Sequence, residues 1–238
     1  MPRFKADLHI HSCLSPCGDL SMGPFNIVEY AKKNALDIIA LTDHNSALNT
    51  AALMPLCKKA GITLIPGLEI CTQEEVHILA LFPTIEKALL MDKVCTENLV
   101  KIPNNPEKTG DQILVNKKEE ITGEYPWYLL SSTNLSLKET TEEIHKLGGL
   151  AIPSHIDRPT FSCYSQLGFL PEEDFDAVEV YNNPSQLDTK GYTIIKNSDA
   201  HFPEDIARRH FFLEAEQPDF YGIKEALVKA RVTTYPFP

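Results

Sequence analysis

Short apolar runs alternate along this chain with stretches of helical periodicity. The runs are Phe4 to Ile10, Ile38 to Leu41, Ile62 to Ile65, Val76 to Phe82, Leu150 to Ile152, Ala177 to Tyr181, Tyr192 to Ile195 and Phe211 to Leu213. Most are continuously apolar, the pattern of strands buried on both faces of a parallel sheet. Between them, the spacing predicts a helix from Pro24 through Ile27, Val28 and Ala31, with Pro24 well placed for a first turn after Ser21. A second helix covers Ala47 to Ala60 and stops at Gly61. A third starts at Ser136, where Glu139 completes a capping-box pattern, and ends at Gly148-Gly149. The last spans Asp219 to Ala230.

Repeated strand–helix units predict an α/β fold with a parallel sheet, and roughly seven or eight of them predict closure into a barrel. The regularity breaks between Thr84 and Asn134. That segment reads as an insertion made of a helix, a loop and a short hairpin in which Ile113-Leu114-Val115 faces Ile121-Thr122. With no internal repeat and no composition shift, residues 1–238 are expected to form one domain.

Composition narrows the function classes. Of 238 residues, 43% are hydrophobic, enough to bury a core and to exclude wholesale disorder. Lys and Arg number 22 against 33 Asp and Glu, a formal net charge of −11. That balance leads to the expectation of no duplex nucleic acid as a partner, because phosphate neutralisation needs a basic footprint. A phosphorylated small molecule or short oligonucleotide stays compatible, provided positive charge is concentrated in one site, for instance as metal ions. No apolar run approaches the ~20 residues of a membrane span, and the start lacks a secretion signal's apolar stretch. The six cysteines need no disulfide framework in a domain of this size, so a cytoplasmic, reducing location is expected. Nothing in the pattern specifies an oligomeric state.

The polar residues that interrupt or follow the apolar runs carry the chemistry. The first run closes with Asp7-Leu8-His9-Ile10-His11-Ser12, and residues two apart in a strand point to one side, so His9 and His11 can present two imidazoles together. Thr42-Asp43-His44-Asn45 follows the second run, Gly67-Leu68-Glu69 the third, and His77 opens the fourth. Pro153-Ser154-His155-Ile156-Asp157-Arg158 follows the fifth, and Asn197-Ser198-Asp199-Ala200-His201 the seventh. Five of the eight histidines thus sit at or just past the C-terminal end of a strand, where α/β barrels gather their active sites. Imidazoles and carboxylates converging there are a ligand set for first-row divalent metals. His145, in a helix rich in Glu and Lys, reads as a surface residue. His210 opens a strand at the opposite end, and both are set aside.

These motifs, in this order, resemble the polymerase and histidinol phosphatase (PHP) superfamily of metal-dependent phosphoesterases over the whole chain except the insertion. The resemblance implies a distorted barrel of seven strand–helix units, (β/α)7 and TIM-like, holding two or three divalent ions such as zinc, manganese or iron. It implies one metal on His9, His11, Glu69 and Asp199, and a second on Glu69, bridging, with His77 and His155. A third would use His44 and His201 with an acid from the loop after His11. The implied activity is hydrolysis of a phosphate ester by metal-activated water, with histidinol-phosphate phosphatase as a narrower form. A catalytically inactive metal-binding regulatory module and a metal hydrolase for C–N or ester bonds are the alternatives.

Four details stay open at this level. The related loop usually carries Asp after Ser, whereas this one reads Ser15-Pro16-Cys17-Gly18-Asp19; Asp19 is the expected third-site acid, with Cys17 as a soft substitute. Arg158 is the best cation to meet phosphate, against an ion pair with Asp157, Glu179 or another barrel-rim acid. Asp43, in the catalytic set, is read as orienting a ligand, as Asp7 is beside His9. In the insertion, Trp127 with Tyr125, Tyr128, Lys117 and Lys118 offers either base stacking or, the favoured reading, packing onto the barrel.

Overall fold

The computed structural model describes residues 1–182 and 187–235. Its main sheet has seven strands, in spatial order β11 (Val232–Tyr235), β10 (His210–Glu214), β1 (Arg3–Ile10), β2 (Ile38–Leu41), β3 (Thr63–Cys71), β4 (His77–Leu81) and β7 (Leu150–Pro153). Two further ladders pair β5 (Ile113–Val115) with β6 (Ile121–Glu124), and β8 (Val178–Glu179) with β9 (Ile194–Ile195). The last of these lets the sheet curl. Asp176 N–H donates to Ala151 O and Ile156 N–H to Glu179 O, while Ala200 bridges in parallel to Ile10, so β8 and β9 join β7 to β1.

The expectation of an all-parallel sheet holds only in part. β1, β2 and β3 run parallel, but β4 is antiparallel to both β3 and β7, and β10 is antiparallel to β1. The chain between Cys71 and His77 is a tight turn, with Thr72 N–H donating to Val76 O and Glu75 N–H to Thr72 O. A parallel return needs a dozen residues or more, so β4 must reverse. Its continuous apolar run reflects burial on both faces, not direction.

The helices follow their local signals. α1 (Pro24–Lys33) starts on its proline, α2 (Thr50–Ala60) ends at Gly61 with φ +74°, and α5 (Leu137–Lys146) carries the reciprocal Ser136–Glu139 capping box. Helix α2 begins later than Ala47 because Asp92 Oδ1 accepts from Ser46 Oγ at 2.7 Å and Ala47 N at 2.9 Å, holding those residues in a turn. The segment between β4 and β7 carries α3 (Ile85–Asn98), a short turn of helix α4 (Pro106–Thr109) and the β5–β6 hairpin. Trp127 there packs with Leu114 against buried Leu14, Leu99, Tyr125 and Leu129. A short helix α6 (Cys163–Gln166) follows β7, and α7 (Phe220–Val228) precedes β11.

Strand periodicity sorts the core into layers. Ile38 and Ala40, Ile65, Leu79 and Leu81, Leu150 and Ile152, Ala177 and Ile195 form an inner cluster that residues of α7 join. Ile39 and Leu41 face the other way, onto α1 and α2, and Leu68 and Ile70 pack with α3 and α5. Each buried Leu or Ile contributes about 1.5–3 kcal/mol, and this inner layer is the floor on which the polar residues stand. Glu69, His77 and Glu179 are the next same-face positions after Ile65 and Gly67, before Leu79, and after Ala177. In β1 the alternation breaks: Leu8 belongs to the inner cluster and Ile10 to the α1/α2 cluster. The β1–β2 pairing shifts register between Asp7 and Ile10, which brings His9 and His11 to the inner side.

Candidate metal centre

Six histidines converge with two carboxylates at one end of the inner face. Glu69 is the hub. Its Oε1 lies 3.2 Å from His9 Nε2, 3.1 Å from His77 Nδ1 and 3.0 Å from His155 Nε2; its Oε2 lies 3.1 Å from His44 Nδ1 and 3.4 Å from His11 Nε2. Asp199 Oδ1 stands 3.4 Å from Nε2 of both His9 and His11, and His201 stacks on His11 with centroids 4.2 Å apart. His155 and Asp199 adopt positive φ, +30° and +52°. Such strain costs about 1–3 kcal/mol per residue, and His155 is held in it by donating its backbone N–H to Glu179 Oε2 at 2.8 Å.

Two buried relays set the tautomers of the paired imidazoles. Glu179 meets His9 Nδ1 at 3.0 Å and, as a carboxylate, only accepts, so Nδ1 carries the proton. Ser15 Oγ donates to Asp43 Oδ1 at 2.7 Å and therefore accepts from His11 Nδ1 at 2.9 Å. Both relays leave an Nε2 lone pair pointing inward, and those two nitrogens are 3.1 Å apart. Two lone pairs facing each other in a buried site call for a cation between them. Other ring nitrogens are not satisfied either: Nδ1 of His44 and of His77 lie 3.1 Å from Glu69 without forming a hydrogen bond, and Nε2 of His77 and Nδ1 of His155 are buried without one. The residues present fit a divalent-metal centre.

The electrostatics agree. Burial works against the charged form of Glu69 and Asp199, but His9 and its neighbours outweigh it and hold both carboxyls well below the usual range. Burial lowers His44 and His77, and carries His201 down to about 4, so these rings are neutral lone-pair donors. For His9, burial is overcome by Glu179, Glu69 and Asp199, which hold its pKa well above the ordinary value; without a metal, a second proton on Nε2 fills the place between the two facing nitrogens that a metal ion would take. The same negative surroundings favour any cation.

The structure thus brings together His9, His11, His44, Glu69, His77, His155, Asp199 and His201. Two named residues do not join them. Asp19 turns outward, accepting from Ser21 N at 2.8 Å, and Cys17 takes the position between His44 and His201. Asp43 is spent on the loop after β1, accepting from Ser12 N, Ser12 Oγ and Ser15 Oγ at 2.7 Å each. Asp7 accepts from Ser198 N at 3.0 Å and Ala207 N at 2.9 Å, anchoring the segment that carries Asp199. Arg158 binds Asp199 Oδ2 and, with Cys17, Leu130, Thr160 and Phe161, rims an open cleft of about 160 Å³ above the cluster. His145 and His210 lie elsewhere, on Asp176 and against Tyr235. Sequence points to Glu179 only as an ion-pair partner for Arg158 and to Ser15 only as part of its loop, not to their contacts with His9 and His11; an acid inside the apolar run Ala177 to Tyr181 is the available signal for Glu179.

Known proteins share this arrangement of chain. The PHP domain profile matches residues 7–183. An uncharacterized protein of Methanocaldococcus jannaschii is 29% identical over 187 residues, 75% of this chain and 82% of that protein. A 5'-3' exoribonuclease of Haemophilus influenzae is 32% identical over 115 residues, 44% of this chain but 41% of the relative. Among solved structures, the lesion-specific endonuclease Q of Pyrococcus furiosus matches with a TM-score of 0.69 at 20% identity, over 95% of this chain and 56% of that one. The likeness to endonuclease Q is one of fold, and this chain spans little more than half of it.

The expectation that duplex nucleic acid is excluded as a partner does not hold. A structure of endonuclease Q in complex with a 27-mer duplex substrate, with an abasic lesion at the active site, matches this chain with a TM-score of 0.67 at 20% identity, over 96% of this chain and 57% of that one. The net charge of −11 is therefore no ground for excluding duplex nucleic acid. Net charge sums over the whole surface, whereas a duplex responds to the potential near the cleft. Among the described residues no helix is long and apolar enough to cross a membrane.

Proposed function

The chain belongs to the PHP domain family, and on that premise we propose that it is a metal-dependent phosphoesterase, hydrolysing a phosphate ester of a small phosphorylated metabolite, a nucleotide or a nucleic-acid strand. The observation that carries this reading is Glu69, a buried carboxylate whose two oxygens lie within 3.0–3.4 Å of ring nitrogens from five histidines. His9, His11, Glu69 and Asp199 make one donor set; Glu69 with His77 and His155 makes a second. Divalent ions held there, zinc, manganese or iron, supply Lewis acidity to a phosphoryl group and make water a competent nucleophile near neutral pH.

The chain's own residues do the rest. Glu179 and the Ser15–Asp43 pair keep protons on the outer nitrogens of His9 and His11. Arg158, held at the cleft by Asp199, presents a planar guanidinium that matches phosphate oxygens. Leu130 and Phe161 line the cleft. The curled sheet is read as the family's distorted seven-unit barrel. Six free cysteines suit a reducing, cytoplasmic location. Likeness to an exoribonuclease and to endonuclease Q makes nucleic-acid phosphodiesters the first substrates to try.

The test is elemental analysis of the purified protein, with hydrolysis assayed before and after chelation. The substrates are an aryl phosphate, histidinol phosphate, nucleotides, and single- and double-stranded oligonucleotides. Bound metal with chelator-sensitive turnover supports the reading. A metal-loaded protein inert to every substrate would make it a regulatory module, and a protein that takes up no metal would overturn the centre itself.

A further inference from the structure

We propose that Cys17 is a metal ligand, its thiolate completing with His44 and His201 a site for a soft divalent ion such as zinc. The inference rests on the metal-centre reading above and adds to it the ligand that the outward-turned Asp19 does not supply.

The geometry is that of a prepared donor set. Cys17 Sγ lies 3.2 Å from Nε2 of His44 and 3.0 Å from Nε2 of His201. Nδ1 of His201 donates to the Asp199 carbonyl at 3.0 Å, which fixes the ring's proton there and leaves the Nε2 lone pair facing sulfur. Both rings also stack or tilt against His11, with centroids 4.2 and 4.5 Å away, so this corner is continuous with the main cluster.

The loop has no freedom to present another residue. Gly18 N–H donates to Ser15 O at 2.8 Å, and Asp19 N–H to His201 O at 2.9 Å. A Cβ on Gly18 would meet Ser12 O at 2.5 Å, so only glycine lets the turn close behind Cys17. On the other side, Gly110 at φ +90° presses on Pro16, where a Cβ would come within 1.9 Å of the carbonyl oxygen. Clamped in this way, the loop points the thiol into the cleft and the Asp19 carboxylate at Ser21 N. The other five cysteines are buried, and among the described residues none of their sulfurs contacts an imidazole nitrogen.

The ligand type determines which ion is held. Two imidazoles and a thiolate with a position left open suit tetrahedral zinc or cobalt, whereas an aspartate there would favour harder ions such as manganese. On binding, the thiol gives up its proton to solvent and sulfur forms the bond to the ion, with no change of oxidation state.

Cobalt(II) loading of the full chain tests this through the near-ultraviolet sulfur-to-cobalt charge-transfer band. The wild-type protein is expected to show the band; Cys17→Ser is expected to lose it together with about one equivalent of cobalt, keeping the remainder. Cys17→Asp is expected to recover the equivalent without the band. A wild-type protein that binds cobalt with no thiolate band, or a serine variant that keeps both band and stoichiometry, overturns the proposal. Failure to bind any cobalt overturns the metal centre as well, which separates the two failures. Should the serine variant not fold, alkylation of the wild-type protein decides: zinc must slow iodoacetamide modification of Cys17 at least tenfold, and an unchanged rate refutes ligation.

Discussion

Nδ1 of His9 lies 3.0 Å from Oε2 of Glu179, and the same oxygen accepts the backbone N–H of His155 at 2.8 Å. One buried acid therefore orients a ring from β1 and the strained loop after β7. Asn197 supports it, donating to Glu179 Oε1 at 2.8 Å while accepting Leu8 N at 2.7 Å. Partners of this kind tune metal affinity by about 10–100-fold. Glu179→Ala is expected to weaken metal binding by that factor, measured by chelator competition; unchanged affinity would show that His9 needs no such support.

Glu69→Ala removes the carboxylate on which five imidazoles converge. Metal content should fall by at least one equivalent and hydrolysis should be abolished. Turnover at the wild-type level would refute the shared-ligand role.

Asp19→Ala is expected to leave metal stoichiometry unchanged, because the carboxylate is bonded to Ser21 N and faces away from the cluster. A lost equivalent in elemental analysis would mean that this loop rearranges around the metal and that Asp19 does ligate.

Arg158→Ala should lower kcat/KM by about 10–100-fold, the worth of a charge-assisted hydrogen bond of roughly 1.5–3 kcal/mol. Arg158→Lys should recover little, since an ammonium cannot offer the guanidinium fork. Full activity in the lysine variant would reduce Arg158 to an ion-pair partner of Asp199.

Away from the site, His145 Nε2 is 2.9 Å from Asp176 Oδ2, and that hydrogen bond, the leading cause, raises the histidine's pKa. A raised folded-state pKa stabilises fully below the unfolded value of about 6.5 and is lost as pH rises through the folded value. His145→Ala should therefore destabilise the protein more under mildly acidic than alkaline conditions, read as Tm against pH. A shift independent of pH would show that the ring contributes only packing.

Much of this was legible from spacing alone. Same-face alternation places Glu69 and His77 above Ile65 and Leu79, and a strand-end His-x-His pattern does put His9 and His11 side by side. The helix starts at Pro24 and Ser136 and the stop at Gly61 obey local capping chemistry, which a sequence window contains in full. The reversal of β4 was hidden because an apolar run records burial and not direction. Glu179 was legible only as an ion-pair candidate for Arg158, because the partner it meets, His9, is 170 residues away in sequence.

The sequence by itself determined the donor types, their order and their places at strand ends, since residue chemistry and periodicity are local properties. The tertiary structure decided which of them meet. The β1 register shift brings His9 and His11 to the inner face, and the clamp on the Ser12–Asp19 loop turns Cys17 inward and Asp19 outward. Both choices are made by backbone contacts with distant segments, at Ile38–Leu41, Gly110 and His201, and no local pattern encodes the shape of a neighbour that packing alone supplies.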